Sequence, residues 1–362
     1  MKIKRCTSPD IRYVIFTIVL FLFAGVPFGK VRPIGKRILI RPITIRNITY
    51  SADGTVFAIP NFISAGSVAL FWVSTRGEIA PLPSRFSEKN FTRSSGLFFL
   101  RKKNKTDENM AFISLPELLS GYSVDFTDTG KTLAIAGGST VEIYDGNNSW
   151  KKTRTLTIGS SVTRAVFSPD GSKLGVISDG QLYIFSTQHY KIITTITPAK
   201  ESRFSDISFS NDNTRFAVFE FRSVMFDFAS RIRVYISTDG SHDHDLHYFN
   251  ARPSSSPETY FPLVSFSPKD TALAVTIPTS FTGKILLVKT KDGTVIKEFK
   301  GFCHAFSPDG TLFIAQNTVF STSDWSPLGS IPRSTVTCAF SPTDRSIITV
   351  TKETIKRFRV EE

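Results

Sequence analysis

Two apolar runs, Ala165-Val166-Phe167 and the stretch holding Leu174, Val176 and Ile177, stand on either side of the polar tetrapeptide Ser168-Pro169-Asp170-Gly171. Runs this apolar are too dense for half-solvated strands and predict strands covered on both faces. The tetrapeptide predicts the turn between them. Ser bonds to nearby main chain, Pro presets φ for the second position of a type I turn, Asp tolerates the third, and Gly takes a positive φ at the fourth. A second hairpin signal, Ser178-Asp179-Gly180, leads into Leu182-Tyr183-Ile184-Phe185, and the next segment, Lys191 to Thr197, is polar enough for an outermost strand. One unit thus reads as four antiparallel strands graded from buried to exposed.

The same turn slot returns along the chain as Ser51-Ala52-Asp53-Gly54, Thr127-Asp128-Thr129-Gly130, Ser210-Asn211-Asp212-Asn213, Ser267-Pro268-Lys269-Asp270, Ser307-Pro308-Asp309-Gly310 and Ser341-Pro342-Thr343-Asp344. A fixed period of roughly forty residues marks a propeller or solenoid, whose small units bury a core only by stacking on one another. The span from Ser51 to Ser341 is 290 residues. A blade of about 41 residues fits it seven times, which predicts eight units. The second of these rests on Ser94-Ser95-Gly96 followed by Leu97-Phe98-Phe99-Leu100; if that segment is an insertion, the count is seven. The last unit supplies three strand signals only, and Arg37-Ile38-Leu39-Ile40 predicts the fourth, a strand near residues 37–43 that closes the ring.

Val162 to Gly171 reads Val-x-x-x-x-Phe-Ser-Pro-Asp-Gly, which resembles the blade opening of the WD-repeat β-propeller family over roughly residues 36 to 362. The dipeptide that names the family is replaced by Tyr144-Asp145, Phe185-Ser186, Tyr235-Ile236 and Val288-Lys289, so the chain resembles a degenerate member held mainly by apolar packing between blades. The expected architecture is all-β, an eight-bladed or alternatively seven-bladed WD-repeat-like propeller over residues 31–362, preceded by one short hydrophobic helix within residues 1–30.

Of 362 residues, 33 are Phe, and Phe126, Phe167, Phe209, Phe266, Phe306 and Phe340 each stand just before a repeat turn, which assigns them to packing between blades. Lys2, Lys4, Arg5 and Arg12 precede an apolar run from Tyr13 to Phe28 that includes Ile15, Phe16, Ile18, Val19, Leu20, Phe21, Leu22 and Phe23. Bulky Leu22 and Phe23 stand where signal-peptide cleavage needs small residues, so the run is expected to be an uncleaved signal-anchor. That makes the chain a single-pass protein of the endoplasmic reticulum or secretory pathway, with secretion as the alternative. Basic residues flank the run on both sides and leave its orientation open. Sequons at Asn47, Asn90, Asn104 and Asn147 favour a lumenal or external domain. Cys303 and Cys338 lie three and two residues before Phe306 and Phe340, so they are expected to face opposite ways and not to pair.

The net charge is +13, but residues 1–41 carry +8 of it and leave +5 for the rest, so the juxtamembrane cluster reads as a lipid headgroup contact and not as part of a nucleic-acid surface. Arg101-Lys102-Lys103-Asn104-Lys105 reads as a solvated loop. The one dense polar constellation is His242-Asp243-His244-Asp245-Leu246-His247, expected on an exposed turn, where His242 and His244 offer two metal ligands at best. Gly-x-Ser-x-Gly elbows, phosphate-binding glycine loops and Cys-x-x-Cys pairs are absent from the sequence. Phe219 to Ser230 and Asn250 to Pro262 stand out as extra loops. The expected function is a membrane-anchored, monomeric, non-enzymatic scaffold for a protein partner, with no cofactor. The family resemblance implies one alternative, a nucleotide-exchange factor of the endoplasmic-reticulum membrane acting on a small coat-recruiting GTPase. A secreted propeller enzyme is another.

Overall fold

A computed structural model of the chain describes residues 31–39, 47–60, 67–73, 79–81, 97–98, 112–114, 123–127, 129–148, 150–159, 161–224, 227–249, 263–278, 283–351 and 354–361. Within them the chain forms seven antiparallel sheets in a β-propeller. Blade 1 contains Thr49–Tyr50, Val56–Pro60, Ser67–Val73 and Ile79–Pro81; blade 2 contains Ser123–Phe126, Thr132–Gly137, Thr140–Asp145 and Lys151–Thr157. Blade 3 contains Val162–Phe167, Lys173–Ser178, Gln181–Ser186 and Lys191–Ile196; blade 4 contains Ser202–Phe209, Arg215–Val224, Asp227–Ile236 and His242–Phe249. Blade 5 contains Leu263–Phe266, Ala272–Pro278, Gly283–Lys289 and Val295–Lys300; blade 6 contains His304–Phe306, Leu312–Ala315, Thr318–Ser321 and Pro327–Ser330. Blade 7 combines Thr335–Phe340, Ser346–Thr351 and Thr354–Val360 with Val31–Leu39 from the other end of the sequence.

The eight-blade count is therefore corrected to seven. Leu97–Phe98 pairs with Phe112–Ser114, which itself pairs with Ser67–Val73, so this segment enlarges blade 1 and founds no sheet of its own. The seven-blade alternative, in which this segment is an insertion, is the count the sheets match. Ring closure runs antiparallel from Val31 opposite Val360 to Leu39 opposite Thr354, with a register shift between Ile34 and Ile38. Residues 1–30, where the hydrophobic helix is expected, lie outside the described residues. Among the described residues no helix is long and apolar enough to cross a membrane.

Blade 3 shows why the sequence folds this way. Leu174 stands opposite both Phe167 and Phe185, so the second strand is hydrogen-bonded on both edges and buried along most of its length. Asp179 and Gly180, with φ of 52° and 77°, make the two-residue connection between Ser178 and Gln181. Two consecutive left-handed residues give the type I′ geometry that matches strand twist. The outer strand Lys191–Ile196 is mostly exposed, as its polarity requires.

Seven apolar clusters fill the seven seams between blades. Val56 and Leu70 meet Phe126 and Leu133 between blades 1 and 2. At the closure, Phe57, Ile59 and Phe71 of blade 1 meet Ile348, Val350 and Ile355 of blade 7. The phenylalanines that precede the turns each enter the seam with the preceding blade: Phe167, Phe209, Phe266 and Phe340 are buried there, and Phe306 is half-buried against its cluster. Each buried aromatic contributes about 2–3 kcal/mol.

Candidate functional site

Four of the seven repeat turns are held by their own Ser and Asp, those of Asp53, Asp170, Asp212 and Asp309. In blade 3, Ser168 Oγ donates to Asp170 Oδ1 at 2.6 Å and accepts from Lys173 N at 2.9 Å. Asp170 Oδ1 also accepts from Ser172 N at 3.0 Å, and Gly171 N donates to Ser168 O at 2.8 Å with φ of 68° at the glycine. The sequence reading gave Asp only a permissive role, but it is the acceptor at the centre of the turn. The same set recurs around Asp53, Asp212 and Asp309. At Asp212 the bond from Ser210 leads, and with the Thr214 bonds it holds the carboxyl below the usual range.

The turns also touch one another, and this forms a collar on one end of the ring. Asn213 Oδ1 of blade 4 accepts from Asp170 N of blade 3 at 3.0 Å. Blade 5 has Lys269 where four other turns have Asp, and its Asp270 reaches across to blade 4, accepting from Asn211 N at 2.8 Å and Asp212 N at 2.9 Å. Arg345 of blade 7 approaches Asp309 of blade 6 at 3.6 Å. A Cβ at Gly130 would fall 2.8 Å from Ala52 N of blade 1, and one at Gly54 would fall 2.6 Å from Thr343 Oγ1 of blade 7.

Inside the collar the innermost strands carry a second set of ties. Strand alternation sends Val124 and Phe126 into a seam and frees Ser123 and Asp125 for the neighbouring inner strand. Asp125 Oδ2 accepts from Phe167 N of blade 3 at 2.8 Å, and its Oδ1 accepts from Thr49 Oγ1 of blade 1 at 3.2 Å. Asp206 of blade 4 accepts from Arg164 Nε of blade 3 at 2.6 Å and from Val264 N of blade 5 at 2.8 Å. Arg164 Nη1 donates to Ser123 Oγ of blade 2 at 3.1 Å. His304 of blade 6 bonds Thr276 and Ser265 of blade 5 through its two ring nitrogens, at 2.7 and 2.8 Å. Burial pushes the Asp125 carboxyl up to about 6 against the opposing charge of Arg164 and the bonds from Phe167 and Thr49. Burial alone takes His304 down to about 4.

Collar and inner strands together border a cavity of about 360 Å3 at the axis. Its lining comes from six blades: Tyr50 and Ala52, Asp125 and Phe126, Val166 and Pro169, Ser208 and Phe209, Pro308, and Phe340 with Pro342. The mouth offers apolar edges, three proline rings, main chain held rigid by the turns, and one carboxylate. Such a surface recognises shape, since its one carboxylate, Asp125, is already engaged by Phe167 N and Thr49 Oγ1. The repeat-turn residues of the sequence reading are brought together here, Pro169, Pro308 and Pro342 at the rim and their Asp and Gly neighbours in the collar.

The histidine-rich segment is a strand, not the exposed turn expected: His242–Phe249 is the outer strand of blade 4, because its side chains pair with Arg and Tyr of the strand beside it. His242 Nε2 lies 2.9 Å from Asp245 Oδ1, while His244 bonds Thr290 O at 3.1 Å and Asp243 at 3.1 Å. Asp245 also meets Arg233 at 3.3 Å, and Asp243 meets Arg215 at 2.9 Å. Among the described residues no group of three or more His, Cys, Asp or Glu is placed to hold a metal ion. The extra segment from Phe219 to Ser230 belongs to two ten-residue strands paired to their tips, Val224 opposite Asp227. Within it buried Glu220 binds Arg231 at 2.8 Å and accepts from Ala199 N at 2.8 Å, a network that Glu220 flanked by Phe219 and Phe221 hinted at in sequence.

Of the sequons, Asn147 is exposed on the short 3-10 turn Gly146–Asn148. Asn47 is engaged: its Nδ2 donates to Val124 O at 2.7 Å, and Thr49 of the same sequon is the Asp125 partner. Asn90 and Asn104, the basic cluster at 101–105, the segment 250–262, and the anchor residues from Tyr13 to Phe23 lie outside the described residues. Cys303 and Cys338 do not face apart; both are buried and their Sγ atoms lie 3.8 Å from each other across the seam of blades 6 and 7. Cys303 stands three residues before Phe306 and Cys338 two before Phe340, so the first pair faces apart and the second faces the same way. Cys338 shares with Phe340 the face toward blade 6, while Phe306 packs toward blade 5 and leaves Cys303 facing blade 7, so the two cysteines meet.

Fold and mouth define a seven-bladed β-propeller with a rigid collar of repeat turns at one end of its axis. No protein-family model matches the chain, and no curated protein matches its sequence.

Proposed function

We propose that the chain is a monomeric, non-catalytic interaction scaffold of degenerate WD-repeat type, which receives a protruding loop of a protein partner at the axial mouth. The observation that carries this reading is the 360 Å3 cavity lined from six blades and rimmed by turns that are hydrogen-bonded within and between themselves. A surface held this way is ordered before a partner arrives, so binding loses little entropy of ordering. The carboxylates of the inner network are occupied by donors of neighbouring blades, which suits ties between blades better than acid or base work. In this reading the apolar run from Tyr13 to Phe28 tethers the ring to a membrane of the endoplasmic reticulum or secretory pathway.

Proximity labelling from the anchored chain tests it. Pro169→Glu with Pro308→Glu puts two charges on the rim at turn positions that accept most residues, and Lys297→Glu on the outer strand of blade 5 serves as the control. The rim variant is expected to lose a discrete subset of labelled proteins by tenfold or so, an affinity change of about 1.4 kcal/mol, while the control retains it. Identical labelling by all three chains would remove the mouth as the binding surface.

A further inference from the structure

We propose that Cys303 and Cys338 are a thiol pair that closes into an interblade disulfide, joining blade 6 to blade 7. Their Sγ atoms lie 3.8 Å apart, and both side chains are buried in one seam cluster with Leu312, Ile347 and Phe358. A disulfide needs the sulfurs at about 2.0 Å; Cys338 stands on the first strand of blade 7 and Cys303 immediately precedes the first strand of blade 6, and rotation of the two side chains is the motion that closes the remaining gap. The seam has a structural reason to receive a covalent tie. Every strand of blade 6 is short, three or four residues each. Blade 7 is the sheet in which Val31–Leu39 meets the C-terminal strands and closes the ring. A bond from Cys303 to Cys338 therefore fastens the closing blade to a neighbour of short strands.

The oxidant is a low-molecular-weight disulfide, RSSR. The thiolate of one cysteine attacks a sulfur of RSSR, forming a mixed disulfide and expelling one RS⁻. The thiolate of the second cysteine then attacks the protein sulfur of that mixed disulfide, forming the Cys303–Cys338 bond and expelling the other RS⁻. Two thiol protons end on the two released RSH, and the two electrons lost by the cysteines reduce RSSR. Because both thiols are buried, the first attack waits on opening of the seam, so the reaction is slow in the native protein and accelerates when the ring is loosened by mild denaturant.

The test incubates the whole 362-residue chain with oxidised glutathione, then denatures it, alkylates free thiols, and maps peptides by mass spectrometry without reduction. The expected result is one peptide pair linked through Cys303 and Cys338, alkylation of Cys6 only, and a melting temperature raised by about 5 °C that reverts on reduction. Cys303→Ser and Cys338→Ser are each expected to abolish both the link and the rise. Alkylation of both cysteines, a glutathione adduct on either as the end product, or a link between two chains would each overturn the proposal. The wild-type mapping reads the outcome even if a serine variant does not fold.

Discussion

At the scale of single residues, the repeat turn works because one carboxylate collects the donors of a whole loop. Asp170 takes bonds from Ser168 Oγ, Ser172 N and Ser172 Oγ, and the glycine that follows makes the left-handed exit. The turns differ in what surrounds that glycine. A Cβ at Gly171 would meet only Thr127 side-chain atoms at 3.7 Å or more, whereas one at Gly130 would press on the main chain of Ala52 at 2.8 Å, with φ near +65° in both. Gly171→Ala is therefore expected to cost about 1 kcal/mol, the price of a left-handed alanine. Gly130→Ala adds a clash with main chain of another blade and is expected to cost about 2–3 kcal/mol. Urea unfolding of the two variants checks this, and equal costs would mean that the turns of blades 1 and 2 are not in contact. The turn itself was readable from four letters. The contact between turns was not, because Asn211 and Asp270 are 59 residues apart and nothing in the local pattern of either announces the other.

Secondary-structure elements gain their place from the grading of burial across each sheet. The second strand of blade 3 is almost wholly buried and the fourth largely exposed, and the apolar density of Leu174 to Ile177 against the polarity of Lys191 to Thr197 made that order legible. Blade number was less legible. Leu97–Phe98 is apolar enough to count as a strand, and it is one, but its partner is Phe112–Ser114 in blade 1, a choice made by pairing and not by composition. The histidine strand escaped for a related reason: His242 to His247 has a polar pattern, and its place in the sheet comes from pairing with Asp227–Ile236, beside which Arg215, Arg231 and Arg233 meet its carboxylates. Closure by Val31–Leu39 carries a prediction at this scale. Removing residues 345–362 deletes the second strand of blade 7 and the third, which is the partner of the closing strand, so the seams to blades 1 and 6 open together. The truncated chain is expected to lose the cooperative melting transition of the whole ring. A transition with the full-length midpoint would show that the two ends of the chain do not share a sheet.

The molecule as a whole has opposing titrations at its axis. Asp125 titrates near 6 in the folded ring against a usual value of 3.8, because burial favours its neutral form. Between pH 4 and 6 the folded chain thus holds a proton that the unfolded chain has released, and stability falls as pH rises. His304 titrates near 4 against a usual 6.5, so between pH 6.5 and 4 the unfolded chain takes up a proton that the folded chain refuses, and stability falls as pH drops. Each contribution is of order 2–3 kcal/mol, and in the whole protein they offset one another across this window. Asp125→Asn keeps an acceptor for Phe167 N and removes the first contribution, so its stability is expected to decline steeply from pH 6.5 to 4. His304→Gln removes the second, and its stability is expected to decline from pH 4 to 6. The wild-type profile between those limits should be shallower than either. Below pH 4 all three should lose stability together as the turn carboxylates, held low by their hydrogen bonds, are protonated in the folded state as well. Urea midpoints at pH 4, 5, 6 and 7 separate the cases, and variant profiles that run parallel to the wild type would show that neither axial group carries the assigned proton.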